Sequence, residues 1–511
     1  MFLLRRLICF GLLVPAAPAQ MSVLTWHNDN ARTGQNLQET VLTPANVNSA
    51  TFGKLFELTT DGKVDAQPLY FAGVLYVATE HDTLFAFNAA SGTLLWSTSL
   101  LGTGETTSDR RGCSQVVPEI GITATPVIDP TAGPNGTIYL VAMSKDSFGA
   151  YHQRLHALDL STGAEMPASP VEIQASYPGS GVEGSSGMQI FSPGQHEDRA
   201  ALLLSNGVVY TSWSSHCDIP PYTSWVIGYD ESSLAQVSVL NLVPNGRQGA
   251  VWGAGAGPAA DSSGNLYLLT GNGTFETTLD NAGFPAGGDF GNSFVKMSQS
   301  LAVADYFTMS NTVSESNADA DFGSGGAMLL PPLTDSGGQT RSLAVGAGKD
   351  GNAYIVDCND MGKFRPDANA IFQELTGALA GGIYSSPAWF NGNLYYTPVG
   401  GALRAFTFSN GAFNPAPTSQ TSATFPFPGA TPSISANGNT NGIVWVVANQ
   451  NRAVLHAYDA ADLTHELYNS DQAPDHRDDF GKGNKFIVPT VVNGRVYVGT
   501  TAGVGVFGLL P

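Results

Sequence analysis

Eight times along the chain a Gly is followed, three positions on, by Tyr or Trp inside a run rich in β-branched and aromatic residues. The copies are Gly73 with Tyr76, Gly136 with Tyr139, Gly207 with Tyr210, Gly264 with Tyr267, Gly351 with Tyr354, Gly392 with Tyr395, Gly442 with Trp445 and Gly494 with Tyr497, at a mean spacing of about 60 residues. Asn206-Gly207, Asn391-Gly392 and Asn493-Gly494 have the chemistry of hairpin turns with positive φ, so each unit reads as a hairpin entering a strand. A second motif follows many copies, clearest in Ala86-Phe87-Asn88-Ala89-Ala90-Ser91-Gly92-Thr93-Leu94-Leu95-Trp96 and recurring at Ala157-Leu158-Asp159 and Ala457-Tyr458-Asp459. It adds a third strand, a tight turn, and a fourth strand whose large apolar residue packs between sheets. Four strands per repeat, eight times over, predict an all-β, eight-bladed β-propeller; a solenoid is the alternative.

The last copy ends at Gly505-Val506-Phe507-Gly508-Leu509 with no room for a fourth strand, while Phe52-Gly53-Lys54-Leu55-Phe56-Glu57-Leu58 is a strand without its own sheet. The two are expected to complete one blade and so remove an open edge. Two intervals are long, 71 residues from Gly136 to Gly207 and 87 from Gly264 to Gly351. Such insertions on a rigid frame are where function is expected.

Met1 to Gln20, with Arg5, Arg6, an apolar stretch from Leu7 to Val14 and Ala17-Pro18-Ala19, reads as a secretory signal over residues 1–19. A single domain over 20–511 follows, exported to the periplasm or outside the cell, and no later run is long and apolar enough to span a bilayer. A net charge of −20, from 22 basic and 42 acidic residues, argues against a nucleic-acid partner. Beyond the signal, Cys113, Cys217 and Cys358 allow at most one intrachain disulfide, with the pairing open. No Cys-x-x-Cys-His, Gly-x-Ser-x-Gly, His-Glu-x-x-His or Walker pattern occurs, which leaves c-type haem, serine hydrolase, zincin and nucleotide chemistry without support.

These repeats, with Trp26-His27-Asn28-Asp29, Leu42-Thr43-Pro44-Ala45-Asn46-Val47, the stretch Trp213 to Asp218 with Pro221-Tyr222, and Pro428 to Gly438, resemble the pyrroloquinoline quinone (PQQ) repeat propellers. The best-known of these are the quinoprotein alcohol dehydrogenases, and the later stretches are similar to a secreted bacterial branch. The resemblance implies a cofactor in the central funnel, stacked on a Trp, with calcium at a quinone oxygen and an Asp as base. Carried over by position, Trp252 resembles the floor Trp, Asn272 the calcium-ligating Asn, Asp321 the catalytic Asp, itself near the metal, and Lys349 the cofactor-contacting Lys. Asp218 lies near the expected calcium ligand, and Asp65 is placed as another acidic cofactor contact. His216, beside Asp218, either lines the funnel or pins its loop.

Calcium seeks six to eight oxygens, which an Asn and carboxylates supply. Two positions depart from the family: Cys113 precedes Ser114 where an adjacent pair of cysteines stands, and Glu119 occupies the place of a cofactor-pairing Arg. Trp252 also fits a core aromatic, Gly271-Asn272-Gly273 and Lys349-Asp350-Gly351 also fit turns, and Asp319 and Asp321 also fit a solvated loop. Two functions follow. One is a PQQ- and calcium-dependent oxidoreductase acting on an alcohol or sugar and passing electrons to a separate acceptor. The other is a non-catalytic propeller that binds a glycan, peptide or envelope partner.

Overall fold

The computed structural model describes residues 21–511, so the expected signal lies outside the described residues. Nearly every regular element in them is a β-strand; the one α-helix, Thr312–Asn317, is a turn and a half long. Eight antiparallel sheets each contain a path of four strands. In seven of them the four follow chain order, beginning at Leu69–Phe71, Val127–Asp129, Leu203–Ser205, Ala259–Ala260, Met328–Leu329, Ala388–Phe390 and Ser433–Asn437. In the eighth, Thr490–Val492, Arg495–Thr500 and Gly503–Leu509 are completed by Phe52–Thr59, which runs antiparallel to Gly503–Leu509. Three smaller sheets decorate this frame, including one of three strands at 176–190 in the first long interval. No helix among the described residues is long and apolar enough to cross a membrane.

The turns are those the dipeptides call for. Asn206, Asn391 and Asn493 have φ of 51, 47 and 51°, and the glycines after them 80, 84 and 74°. Two successive positive φ values define the hairpin turn that matches strand twist, and Asn followed by Gly is the least strained way to supply them.

The repeated tyrosine has a second task. Its ring is buried between sheets and its hydroxyl donates to a backbone carbonyl in a turn of the next sheet: Tyr76 to Leu160, Tyr139 to Glu231, Tyr210 to Gln299 and Tyr395 to Ala460, at 2.7–3.1 Å. Tyr497, of the last sheet, reaches Ala89 in the first at 3.1 Å. Around these bonds the facing sheets share apolar cores, as where Val345, Ile355 and Leu375 meet Trp389, Leu394 and Phe406.

Ahead of the first sheet, the segment 23–36 bonds to the first strand of all eight sheets in chain order. Val23, Leu24, Asn30, Ala31, Thr33 and Gly34 offer carbonyls to the N–H groups of Tyr70, Ile128, Ala260, Leu329, Trp389 and Ile434. The Asn30 and Asn36 amides donate to Leu204 O and Val491 O, and all eight bonds measure 2.7–2.9 Å. Arg32 is fully buried within this segment. It donates to Pro258 O, Thr25 Oγ1, Trp26 O and Leu202 O, and burial lowers its pKa to about 10. Deleting one intersheet hydroxyl tests the packing: Tyr395→Phe is expected to cost about 1 kcal/mol in urea or guanidinium unfolding, since Ala460 O is left buried without its donor. An unchanged midpoint would show that the hydroxyl contributes nothing to holding those sheets together.

Candidate functional site

Asp321 follows the short helix of the second long interval and is fixed from several sides. Its backbone carbonyl accepts from Lys349 N at 2.9 Å, its Oδ1 accepts from Asn272 N at 2.5 Å, and its Oδ2 lies 2.5 Å from Lys349 Nζ. Phe322 N donates to Asn292 Oδ1 at 2.7 Å, which sets the chain direction past the carboxylate. Gly271 makes the arrangement sterically possible: a Cβ there would sit 2.7 Å from Trp252 Nε1 and 2.8 Å from Asp321 Oδ1. Trp252 and Asp321 can therefore lie side by side only because position 271 has no side chain.

Asn272 turns its Nδ2 to Asp319 Oδ1 at 3.0 Å and leaves its buried Oδ1 without a partner among the described residues. Such an atom is costly unless something later satisfies it. Burial pushes the Asp321 carboxyl above its ordinary range, and the Lys349 ammonium pulls it back only in part. Burial would lower Lys349 as well, but Asp321 beside it, helped by Asp319 at 3.0 Å, more than reverses this and holds the ammonium charged.

Trp252, Asp321 and Lys349 line one cavity of about 70 Å³ with Asp218, Arg199 and Tyr384, and Phe427 and Phe486 extend its wall. The backbone at Trp252 is unusual, with Gly253, Ala254 and Gly255 at φ of 58, 53 and 88°. Ala254 in the left-handed region carries strain of the kind that gathers at binding sites. Cys217 and Asp218 are also left-handed, at 52 and 56°. A disulfide joins Cys217 to Cys113, so the pairing left open by the sequence is settled and Cys358 remains a buried free thiol. Asp218 Oδ1 then accepts from Tyr222 Oη at 2.5 Å.

Three positions expected at the cofactor behave differently. His216 does not line the cavity; it is buried with Nδ1 3.3 Å from Glu197 Oε2, and neither ring nitrogen makes a hydrogen bond among the described residues. Asp65 lines a smaller adjoining chamber of about 20 Å³, and Lys63 Nζ lies 2.6 Å from its Oδ2. Glu119, the departure that set a carboxylate at a cofactor position, is away from the cavity, paired with His81 at 3.0 Å and accepting from Thr107 Oγ1.

The guanidinium at the cavity is Arg199, which sequence reading missed. It is buried, donates to Gln115 Oε1 at 2.9 Å, and lies over the rings of Trp252 and Phe486, 5.7 and 4.9 Å from their centroids. Arg199, Gln115 and Phe486 line both chambers, and Trp26 of the segment 23–36 lines the smaller one. The only sequence signal was a basic residue placed directly before the apolar run Ala200 to Leu204.

No protein-family model matches the chain, and no curated protein matches it in sequence. In three dimensions it is similar to the quinohemoprotein alcohol dehydrogenase of Comamonas testosteroni, with 14% identity and a TM-score of 0.61 over 96% of this chain and 80% of that one. It is similar to a europium-containing methanol dehydrogenase, at 13% identity and 0.60 over 96% and 98%, and to BamB of Moraxella catarrhalis, at 14% and 0.52 over 90% and 100%. The chain has the fold of the quinoprotein alcohol dehydrogenase-like β-propellers.

In this propeller Arg199 and Lys485 both line the smaller chamber, close enough to influence each other. Burial lowers the Lys485 pKa, and the neighbouring charges of Arg199 and Lys63 lower it further, against weaker support from Asp65 and Glu197. Cations that depress one another's protonation mark a place where an anion would be stabilised. The disulfide is expected to hold Asp218 at the rim. Cys217→Ser should lower unfolding stability by about 2–5 kcal/mol, because the bridge closes a loop of 104 residues, and should do so equally in Cys113→Ser. A full effect in one variant and none in the other would mean that the two cysteines do not act as a pair.

Proposed function

We propose that this is an exported, eight-bladed propeller, closed by Phe52–Thr59, whose axial cavity takes a quinone cofactor of the PQQ type with calcium and oxidises an alcohol or sugar. The observation that supports it is convergence: Trp252, Asp321 and Lys349, from loops of two neighbouring sheets, line one cavity with Asp218, and the Asn272 backbone N–H donates to Asp321. The donor chemistry fits. Trp252 offers a ring face, Arg199, Lys349 and Lys485 offer charge to carboxylates, and the unpartnered Asn272 Oδ1 with Asp218 and Asp321 offers oxygens of the kind calcium takes. The volume fits only after a rearrangement: about 70 Å³ holds a few waters, and a tricyclic acid requires Arg199 to leave the face of Trp252.

A quinone cofactor held there with calcium would supply a hydride acceptor and a Lewis acid. The chain supplies the rest. Asp321, raised by burial, takes the hydroxyl proton. Lys349 stabilises its ionised form, and Asn272 N–H aims it. Trp26 bounds the inner chamber. Electrons then pass to a separate acceptor, as the sequence has no c-type haem motif.

A second reading, a propeller that binds a glycan, peptide or envelope partner without catalysis, is favoured by one observation. Arg199 already occupies the face of Trp252 and Lys349 already pairs with Asp321, which leaves the cavity self-satisfied.

Titration with PQQ and calcium separates the two. The oxidoreductase reading predicts a rise in melting temperature, with about 2.7 kcal/mol of stabilisation at a hundredfold excess over Kd, and reduction of an artificial dye in the presence of an alcohol or sugar. Asp321→Asn should keep the melting shift and lose dye reduction by about 100-fold or more. Because the Asp321 pKa is raised, activity should fall as pH drops through a value above the usual ~3.9 of Asp. No melting shift at saturating cofactor removes this reading and leaves the binding frame.

A further inference from the structure

A wide open cleft shares no lining residue with the two chambers just described. It lies between the sheet starting at Ala388–Phe390 and the sheet starting at Ser433–Asn437, and has a volume of about 590 Å³, within the usual small-ligand range of roughly 300–1,000 Å³. We infer that this cleft is a binding site for a neutral oligosaccharide.

Its space has a specific origin. In the cleft between the sheets starting at Ala259–Ala260 and Met328–Leu329, Lys296 stands opposite Tyr267 and reaches across to donate to Cys358 O at 2.8 Å, and that cleft measures about 370 Å³. Here Ala405 stands opposite Tyr395 with no long side chain of its own, and the two sheets are bridged by the Tyr395 hydroxyl on Ala460 O at 2.7 Å and by Ser419 Oγ, which accepts from Leu463 N at 2.8 Å. Gly442 admits the Phe390 ring beneath: a Cβ at 442 would sit 2.4 Å from Phe390 Cε1. Pro44, half-buried, is the apolar surface on which the C–H face of a sugar can rest, while the Phe390 ring is buried in the wall.

The polar lining selects against charge. Asp459 is the one ionisable residue in it, and its Oδ1 is already taken by Ala461 N at 2.8 Å. An anion meets this carboxylate on a chain of net charge −20, and a cation finds no second carboxylate to share it. What remains are amides and hydroxyls. The Thr407 hydroxyl donates to Asn393 Oδ1 at 2.6 Å and lies 2.7 Å from Thr418 Oγ1, which also donates to Ala405 O at 3.1 Å; Asn393 is thereby oriented, and its NH₂ has one long contact of 3.5 Å, to Asn391 O. The side-chain amides of Asn391, Asn439 and Asn441 make no hydrogen bond among the described residues. Each presents a donor beside an acceptor, the pattern that vicinal hydroxyls satisfy in pairs. Turn geometry accounts for Asn391 and Asn441, whose φ are 47 and 57°, but not for Asn439, which is not left-handed.

The site is independent of the axial cavity and of the quinone reading. Its test is saturation-transfer NMR and calorimetric titration of the full protein with maltotriose, cellotriose and chitotriose. At least one should bind, and the double variant Asn391→Gly/Asn441→Gly, which keeps the left-handed backbone while deleting two amides, should weaken it about tenfold or more with an unchanged melting temperature. Asn439→Ala should weaken it in the same direction, and Ala405→Lys, which copies the side chain that crosses the other cleft, should abolish it. Three results overturn the inference: no binding of any trisaccharide up to about 10 mM, binding of full strength in the folded double variant, or binding lost in Arg199→Gln instead, which would place the sugar in the axial cavity.

Discussion

A segment of fourteen residues, 23–36, governs the rest of the molecule. Each sheet carries only a short first strand, three residues in most of them, and the inward edge of such a strand would otherwise present unpaired N–H groups. The segment supplies a carbonyl or an amide to every one of these strands in turn, and the buried Arg32 gathers four further oxygens from residues 25, 26, 202 and 258. One pass of main chain thus ties all eight sheets to a common centre. The tyrosine bonds on the outside, from Tyr76 to Leu160 onward and from Tyr497 back to Ala89, do the same between neighbours. Together they are the physical basis for the proposed ring.

The same arrangement places the site. Residues converge on the cavity because each is carried near the first strand of its sheet or on a loop entering it: Trp252 just before Ala259–Ala260, Asp321 before Met328–Leu329, Lys349 after Leu343–Ala347, Arg199 before Leu203–Ser205. A chain with net charge −20 sets Arg199, Lys349 and Lys485 at the two chambers against Asp218, Asp321 and Asp65, with Lys63 and Asp319 paired to Asp65 and Lys349, so both signs are matched there while the chain as a whole is acidic.

The architecture was legible in the sequence because its determinants are local. Gly207 after Asn206 and Tyr210 three positions after Gly207 state a turn and a buried strand within five residues. Resemblance marked Trp252, Asn272, Asp321 and Lys349 by position; the structure sets Trp252, Asp321 and Lys349 on one cavity and bonds Asn272 N to Asp321, and their roles stay a proposal. Arg199 was not, because nothing local marks an arginine that will lie on a ring 53 positions away. The Cys113–Cys217 bridge was open for the same reason, since three thiols give no geometry. Glu119 stands in the chain where the resemblance puts a cofactor-pairing Arg, but its side chain turns to His81. The role of 23–36 was invisible because backbone carbonyls do most of the bonding, and every residue has one.

The central claim is that this ring holds a cavity built for a planar polyanion over Trp252. A crystal structure of the protein grown with PQQ and calcium tests it most directly. The account predicts eight sheets around one axis, planar density on Trp252, and Arg199 swung from the ring to a carboxylate of the ligand. Seven sheets, or an empty cavity with Arg199 still covering Trp252 at saturating cofactor, would contradict it.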